Sequence, residues 1–345
     1  MSNTIGVITA PFTVEFVKRP LPDLAPDEAL VRVRASAICG SDLHIFRDKH
    51  PSVQLPCTIG HEFSGDVVKL GGVRNEIAVG DRVTLEPVIA CGYCDPCLQG
   101  MYGYCENVSF SYREGDGSMS SYVKCKSRFL HKLPANITYE AGALIEPLAV
   151  ATHAVRRSQV KLGDKVAIFG AGAIGILVAA VCAASGAETI VVSDFSSSRL
   201  AMAKNFGATH TVNAAQEDAL ELIANLSDGA GFDKSIECVG AEVTFNQAML
   251  ALKRGGQMTQ LGIFERPEIT INAARFVSHE ISVIGAQGYC WDFPIALQLA
   301  QKLPLDELVT HSFPLQELEQ ALRIASDPAS ESIKVLVLPV TEEQE

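Results

Sequence analysis

Hydrophobic and polar positions follow two different patterns along the chain. Up to about residue 150, short runs alternate apolar and polar side chains, and glycine and proline interrupt them. An alternation with a period of two that is bounded by turn residues is typical of half-buried β-strands. We therefore predict short strands at 28–35, 64–69 and 82–86.

From Lys165 onward, apolar strands alternate with helical segments. Strands are predicted at 166–169, 189–192, 234–238, 258–261 and 281–284, and a helix at 197–206. This alternation is typical of the doubly wound parallel sheet of an α/β protein.

Two domains are expected from the length of 345 residues, because a single hydrophobic core stops growing at about 250–300 residues. The alternation of strands and helices ends near Gln287. Beyond it, helices are predicted at 293–302 and 315–325, and a strand at 334–338. We interpret this last segment as a return to the first domain.

The net charge of -12 changes which partners are plausible. An acidic protein repels phosphate backbones and anionic membrane surfaces, so we expect neither nucleic acid nor membrane as a partner. The first residues lack the basic start and apolar run of a secretory signal, and we therefore expect a cytoplasmic protein. In that reducing compartment, cysteines favour metal thiolates over disulfides.

Four cysteines lie in one short segment, 91–105, which we call the four-cysteine lobe. They are Cys91, Cys94, Cys97 and Cys105. Four thiolates complete a tetrahedral zinc shell and leave no position for substrate, so we predict a structural zinc. A zinc ribbon for nucleic acid is the alternative. It is disfavoured because acidic residues outnumber basic ones between Glu86 and Lys124.

A second group combines one thiol, one imidazole and two carboxylates. Its members are Cys39, His61, Glu62 and Glu146. A mixed shell of this kind is typical of a catalytic zinc, which keeps one position open for water or an alcohol oxygen. Ser41 can hydrogen-bond the substrate oxygen, and His44 can carry the released proton onward. A lone histidine or cysteine is usually structural, so the prediction of a catalytic zinc depends on the combination.

A glycine-rich motif directly follows the predicted strand at 166–169. We predict that its residues Gly170, Gly172, Ala173, Ile174 and Gly175 bind a dinucleotide. Glycines permit a tight turn and close approach of the pyrophosphate, and the amides at the start of the next helix face its charge.

Asp194 follows this motif by about 20 residues, at the end of the next predicted strand. A carboxylate there accepts hydrogen bonds from the ribose hydroxyls and repels a 2′-phosphate, so NAD is predicted rather than NADP. The alternative is that Asp194 only caps the following helix. Arg199 on that helix is a further candidate cofactor contact. It could serve the 2′-phosphate of NADP, but a helical arginine at this position is more often solvated or packed against the adenine.

These segments together resemble the zinc-dependent medium-chain dehydrogenase/reductase family over nearly the whole chain. The resemblance is carried by Gly40-Ser41-Asp42-Leu43-His44, Gly60-His61-Glu62, the four-cysteine lobe, Glu146-Pro147 and the glycine-rich motif. It implies a mainly-β GroES-like catalytic domain at 1–152 and 288–345, with an inserted Rossmann domain at 153–287.

Within that family, the segment 141–148 resembles the sorbitol, or polyol, dehydrogenase branch, in which a glutamate replaces a cysteine ligand. The resemblance implies an NAD-dependent oxidation of a secondary hydroxyl to a ketone, by a homodimer or homotetramer. It also implies that Cys39, His61 and Glu62 are the closest zinc ligands, with Glu146 binding directly or through water.

Two positions depart from that branch. Gly288 stands where sorbitol dehydrogenases have arginine, and Ile45 stands where they have tyrosine. Both positions face substrate in the branch, so a differently shaped pocket is expected. Arg47 and Lys49 are candidates to recognise a carboxylate or phosphate, although such loop residues are more often simply solvated.

Two alternatives stay open. One keeps the chemistry but acts on a sugar acid, a sugar phosphate or L-threonine. The other is a non-catalytic sensor that binds zinc or NAD, which would require damage to the open zinc site. All the residues predicted for that site are present, which favours an enzyme.

Overall fold

The structure is a computed structural model that describes residues 2–50, 53–72, 77–110, 116–266 and 268–339. The chain divides into two compact units, Met1–Glu146 with Ala296–Glu345, and Pro147–Ile295. The domain limits 1–152 with 288–345 and 153–287 stay a prediction.

The first unit begins as a series of short strands with three helices among the described residues. The strands are β1 (Ser2–Ala10), β2 (Thr13–Pro20), β3 (Glu28–Ala37), β4 (Cys57–Thr58), β5 (Glu62–Leu70), β6 (Arg82–Leu85), β7 (Val88–Ile89), β8 (Ser109–Phe110), β9 (Tyr122–Lys126) and β10 (Leu130–Lys132). The helices are α1 (Gly40–Phe46), α2 (Asp95–Leu98) and α3 (Tyr139–Ala143). The strands predicted at 28–35, 64–69 and 82–86 are confirmed as β3, β5 and β6.

The helix α4 (Ile145–Ser158) contains the boundary with the second unit, which alternates strands and helices. Its strands are β11 (Lys165–Phe169), β12 (Thr189–Asp194), β13 (His210–Asn213), β14 (Phe232–Glu237), β15 (Leu252–Gln260) and β16 (Ser282–Gly285). Its helices are α5 (Ala173–Ala184), α6 (Ser197–Asn205), α7 (Ala219–Leu226), α8 (Glu242–Leu250), α9 (Ala274–Ser278) and α10 (Phe293–Ala300), and the last contains the second boundary.

The sheet of the second unit is parallel throughout, in the order β13-β12-β11-β14-β15-β16. This order confirms the predicted doubly wound sheet. β11 is buried at four of its five positions, and α5 is apolar around most of its circumference. Both sequences are continuous hydrophobic runs, because most of their residues are buried.

The chain then returns to the first unit through β17 (Val309–Pro314), α11 (Leu318–Ser326) and β18 (Lys334–Leu338). β18 pairs antiparallel with β3. The main sheet of this unit has the order β10-β6-β5-β3-β18-β17, with β9 also paired to β3. The helix predicted from residue 315 starts later, because Leu315–Glu317 forms a 3-10 turn after Pro314.

Among the described residues, the helices are all too short or too polar to cross a bilayer.

The core of the second unit generates a stability prediction. Phe232 is 0% exposed among apolar neighbours, whereas Leu162 is 87% exposed. We expect Phe232→Ala to lower the free energy of unfolding of this unit by about 3–5 kcal/mol, since it removes packing and leaves a cavity. Urea unfolding followed by the fluorescence of Trp291, the only tryptophan, measures this. Leu162→Ala is the control, and an equal effect of the two changes would contradict the assignment of this core.

Candidate metal centres and dinucleotide site

The register of β3 with two neighbouring strands gathers the residues of the first candidate metal centre. β3 ends at Ala37, which lies opposite Glu62 of β5 and opposite Leu336 of β18. Because β18 is antiparallel to β3, the same register continued by two residues places Lys334 beside Cys39. Three strands that are distant in sequence therefore bring Cys39, Glu62 and Lys334 together.

Asp42 holds the two chain segments that carry the thiol and the imidazole. Its Oδ2 accepts the backbone N–H of Cys39 at 2.9 Å, and its Oδ1 accepts that of Gly60 at 3.2 Å. The same Oδ1 lies 3.8 Å from Nδ1 of His61. Asp42 is 1% exposed, so water does not compete for these contacts. Asp42 thus fixes the backbone of both segments through hydrogen bonds and lies at ion-pair distance from the imidazole.

Gly60 allows the chain to turn into the site just before His61. Its φ of 95° lies in the left-handed region, and a Cβ at this position would come within 2.9 Å of the backbone N of Met119. A larger residue would therefore displace the segment that carries His61.

The carboxylate of Glu62 is paired with a buried lysine. Nζ of Lys334 contacts Oε2 of Glu62 and donates to the carbonyl of Ile38 at 3.3 Å. Lys334 is 5% exposed and Glu62 is 1% exposed. Burial alone would lower the pKa of Lys334, but Glu62 and Cys39 beside it raise that pKa above its ordinary value. The lysine is therefore charged at neutral pH.

Glu146 adds another negative charge to this region. It lies in the first turn of α4 and is 7% exposed. Burial alone would lower the pKa of His61, but Cys39, Asp42 and Glu146 raise that pKa well above its ordinary value. A group of anions that favours a protonated imidazole also favours a divalent cation.

The donor atoms suit a zinc ion. One ligand atom from each of Cys39, His61 and Glu62 lies within 4.8 Å of the other two. Sulfur, nitrogen and oxygen donors form the three-ligand shell of an open zinc site. Among the described residues, Glu146 is not a member of this close triple, so the geometry favours Glu62 as the nearer carboxylate.

Ser41 and His44 both lie on α1, which begins directly after Cys39. They are three residues apart, so they occupy neighbouring positions on one helix face. Both side chains are half-buried. The helix that follows the thiol therefore carries a hydroxyl and an imidazole on one face.

The four-cysteine lobe is a second candidate metal centre. All four sulfurs lie within 4.8 Å of one another, with 4.0 Å between Sγ of Cys91 and Cys97 and 3.9 Å between Sγ of Cys94 and Cys105. Sulfurs at the corners of a tetrahedron, each about 2.3 Å from a zinc ion, are about 3.8 Å apart. The observed spacing suits a closed zinc site.

Backbone N–H groups support thiolates in this lobe. The amides of Cys91 and Asn107 each donate to Sγ of Cys105 at 3.3 Å. Partial burial opposes ionisation of Cys91, but the amides of Tyr93 and Cys94 lower its pKa to about 6. The thiolate is the form that binds zinc.

A buried carboxylate ties the lobe to the rest of its unit. Oε1 of Glu86 accepts the hydroxyl of Tyr102 at 2.6 Å, and Oε2 lies 3.1 Å from Nε2 of His131. Arg128 also donates to the carbonyl of Ala90 at 2.8 Å. The lobe is therefore fixed to β10 and to the end of β6.

The glycine-rich motif forms the turn between β11 and α5. Gly170 has a φ of 102°, and a Cβ on Gly175 would lie 1.9 Å from the carbonyl oxygen of Gly170. Only glycine suits both positions, because the first is left-handed and the second touches backbone. The turn leaves the first amides of α5 at the end of the strand, the arrangement that binds pyrophosphate.

Asp194 is held by backbone amides. Its Oδ2 accepts the N–H of Ala171 at 2.7 Å, and its Oδ1 accepts that of Ser196 at 2.9 Å. The helix cap is Ser196, whose Oγ accepts the N–H of Arg199 at 3.3 Å. Asp194 thus connects the end of β12 to the glycine-rich turn, and each of its oxygens keeps a second lone pair for a ligand.

The residues that depart from the polyol branch lie in different surroundings. Ile45 is 2% exposed and belongs to the apolar core of the first unit. Gly288, in the second unit, has a φ of 58° and open space where a Cβ would lie. Arg47 donates to the carbonyl of Ser326 at the end of α11, at 3.1 Å, and Lys49 is exposed.

Comparison with known proteins gives matches over most of the chain. Residues 25–135 match the alcohol dehydrogenase GroES-like domain, and residues 173–302 match the zinc-binding dehydrogenase domain. The chain is 35% identical to sorbitol dehydrogenase of Bacillus subtilis over 93% of its own length and 92% of that protein. It is 33% identical to D-arabitol-phosphate dehydrogenase of Enterococcus avium, over 89% of each. The chain belongs to the zinc-dependent medium-chain polyol dehydrogenase family.

A solved structure supports the same assignment for this dehydrogenase. A zinc-binding dehydrogenase structure from Sinorhizobium meliloti, determined with NADP bound, superposes with a TM-score of 0.91 at 31% identity, covering 98% of this chain and 100% of that one. The predicted GroES-like and Rossmann folds are therefore confirmed.

Two residues of the dehydrogenase site were absent from the sequence-based prediction, Asp42 and Lys334. Asp42 has a local signal, since it lies three residues after Cys39, where its carboxylate can reach the amide at the start of α1. Lys334 has a weaker one, as the charged residue of the otherwise apolar strand β18.

Replacing Lys334 tests the buried pair. We expect Lys334→Met to destabilise the dehydrogenase by about 3 kcal/mol, because it leaves the Glu62 carboxylate buried without its cation. Urea unfolding followed by circular dichroism measures the change after the ion of the open site has been removed by chelation, so that zinc does not replace the lost cation at Glu62. The matched control is Lys132→Met, which breaks an exposed pair with Asp81 and should cost less than about 1 kcal/mol. Equal losses in the two variants would contradict the account of this pair.

Proposed function

We propose that the protein oxidises a secondary hydroxyl of a polyol or sugar-derived substrate to a ketone, with NAD as the hydride acceptor. The observation that carries this proposal is the close set of sulfur, nitrogen and oxygen donors from Cys39, His61 and Glu62. A mixed three-donor set leaves room for a substrate oxygen, whereas the all-sulfur set of the lobe does not.

Two zinc ions per chain are part of the proposal. The catalytic ion would be held by Cys39, His61 and Glu62, with Glu146 as a nearby second carboxylate. The structural ion would be held by the four cysteines of the lobe. We also propose a GroES-like domain at 1–152 and 288–345, a Rossmann domain at 153–287, and a cytoplasmic homodimer or homotetramer.

Zinc held by Cys39, His61 and Glu62 would supply a Lewis acid that favours ionisation of the substrate hydroxyl, and NAD would supply the acceptor for the hydride. The oxidation removes a hydride and a proton from the alcohol. We propose that Ser41 Oγ accepts this proton while it gives its own hydroxyl proton to the imidazole of His44 on the same helix face, which then passes a proton to water. Asp42 keeps the Cys39 and His61 segments in place during this transfer.

For the cofactor, we propose Gly170, Gly172, Ala173, Ile174 and Gly175 as the pyrophosphate site. Asp194 supports NAD over NADP, because its carboxylate would lie next to an added phosphate. Arg199 lies in the first turn of α6, three residues after Ser196, and we propose that it packs near the adenine. The NADP in the Sinorhizobium meliloti structure makes the alternative cofactor a necessary comparison.

For the substrate, similarity to sorbitol dehydrogenase favours an unphosphorylated polyol. Similarity to D-arabitol-phosphate dehydrogenase favours a sugar phosphate as the second candidate. The contact between Arg47 and the carbonyl of Ser326 supports the first, because this guanidinium already has a structural partner.

The test is NADH formation by the zinc-loaded protein with polyols, aldonic acids, sugar phosphates and L-threonine, each with NAD and NADP. We expect polyols to give the highest kcat/KM. We expect NAD to exceed NADP by at least about 100-fold in kcat/KM, because a like-charge contact costs several kcal/mol.

Other outcomes have distinct meanings. Turnover of only acids or phosphates would overturn the polyol proposal and assign recognition to Arg47 and Lys49. A preference for NADP would overturn the role of Asp194. No turnover of any alcohol at full zinc content would favour a zinc- or NAD-binding sensor.

A further inference from the structure

One face of β5 carries three polar residues at alternating positions, Glu62, Ser64 and Asp66. In a strand, residues two apart point to the same side. Glu62 belongs to the close donor triple of the open metal site. Ser64 and Asp66, further along the same face, both contact Tyr139, the first residue of α3.

These contacts hold α3 tightly against β5. The hydroxyl of Ser64, which is 0% exposed, donates to the carbonyl of Tyr139 at 2.5 Å. The phenolic hydroxyl of Tyr139 donates to Oδ1 of Asp66. A Cβ on Gly142 would lie 2.9 Å from Cβ of Ser64, so the helix and the strand touch directly. Any displacement of α3 would break these bonds together.

The Tyr139–Asp66 contact is itself fixed by arginines. Oδ2 of Asp66 lies 3.1 Å from a terminal nitrogen of Arg32 and 2.9 Å from Nε of Arg34. The guanidinium of Arg82 lies 4.5 Å from the centre of the Tyr139 ring, and that of Arg34 lies 5.5 Å from it. The arginines therefore contact both partners of this bond, the carboxylate of Asp66 and the ring of Tyr139.

The same helix leads directly to Glu146. α3 ends at Ala143, and Leu144 and Ile145, both 0% exposed, connect it to the first turn of α4. A short connection that is buried in the core transmits a displacement of α3 with little loss. β5 thus positions both carboxylates. Glu62 is a residue of β5, and Glu146 is connected to β5 through α3.

We propose that Tyr139, through its hydrogen bond to Asp66, is a positioning residue for Glu146 at the open metal site. The proposal rests on the proposed function in taking Glu146 as the second carboxylate of that site. Removal of the Tyr139 hydroxyl, which belongs to no metal ligand, should therefore weaken zinc binding, because Glu146 would lose its position.

The variant Tyr139→Phe tests this, because it removes the hydroxyl bond to Asp66 and leaves the bond from Ser64 to the backbone of α3. The helix therefore loses one of these two side-chain bonds to β5, while Asp66 keeps both guanidiniums. The measurement is the rate of zinc release to a chelator. The kinetic phase that the Cys39→Ser variant lacks is assigned to the open site, and this measurement needs no turnover. We expect release to be about 10-fold faster, the lower end of the effect of removing supporting partners of metal ligands. The matched control is Tyr122→Phe, whose hydroxyl makes no hydrogen bond to the described residues, and it should release zinc at the wild-type rate.

A double-mutant cycle separates positioning of Glu146 from general loosening. In the Glu146→Gln background, Tyr139→Phe should change release by less than about twofold, because the group that it positions is already gone. Wild-type release by Tyr139→Phe would overturn the inference. So would the same fold-change in both backgrounds, or an effect equal to that of Tyr122→Phe. Failure of the proposed function would appear separately, as absent turnover by the zinc-loaded wild-type protein.

Discussion

The pairing of β3 with β5 on one side and β18 on the other is the constraint on which the open metal site depends. Ala37 lies opposite both Glu62 and Leu336, so one register fixes where Cys39, Glu62 and Lys334 lie. A slip of one residue in either pairing would turn a donor to the opposite face of the sheet. The metal-site geometry is therefore a property of the whole first unit, including the segment that returns from the far end of the chain.

Charge balance is the second condition of the site. The thiol of Cys39 and the carboxyl groups of Asp42, Glu62 and Glu146 are gathered in a region where these side chains are mostly buried, and Lys334 supplies one positive charge. Buried anions are costly unless they are paired or bind a metal ion. Zinc would complete this balance, so its binding and the stability of the first unit should be linked. The four-cysteine lobe meets a similar condition locally, with backbone amides directed at its sulfurs.

Local signals predicted much of this architecture, and long-range pairing explains what they missed. The strand at 334–338 and the glycine-rich turn follow from apolar runs and glycines that lie next to each other in sequence. The partner of Lys334 is 272 residues away, and no periodicity indicates it. The β1–β2 hairpin was also missed, since most of β2 is exposed and gives no clear alternation. Among the proposed ligands, Cys39 and Glu62 were recognised by motif, while the register that unites them appears only in the fold.

In the mechanism that we propose, a metal ion at Cys39, His61 and Glu62 is required for turnover, and the ion of the lobe is required only for structure. The most direct test follows zinc content and NADH formation together during slow chelation, with circular dichroism as a check on folding. Activity should fall in proportion to the first zinc equivalent lost, while the fold and the second equivalent are retained. Added zinc should then restore the rate. Full activity after loss of the zinc equivalent that the Cys39→Ser variant cannot bind would contradict the catalytic role of this ion.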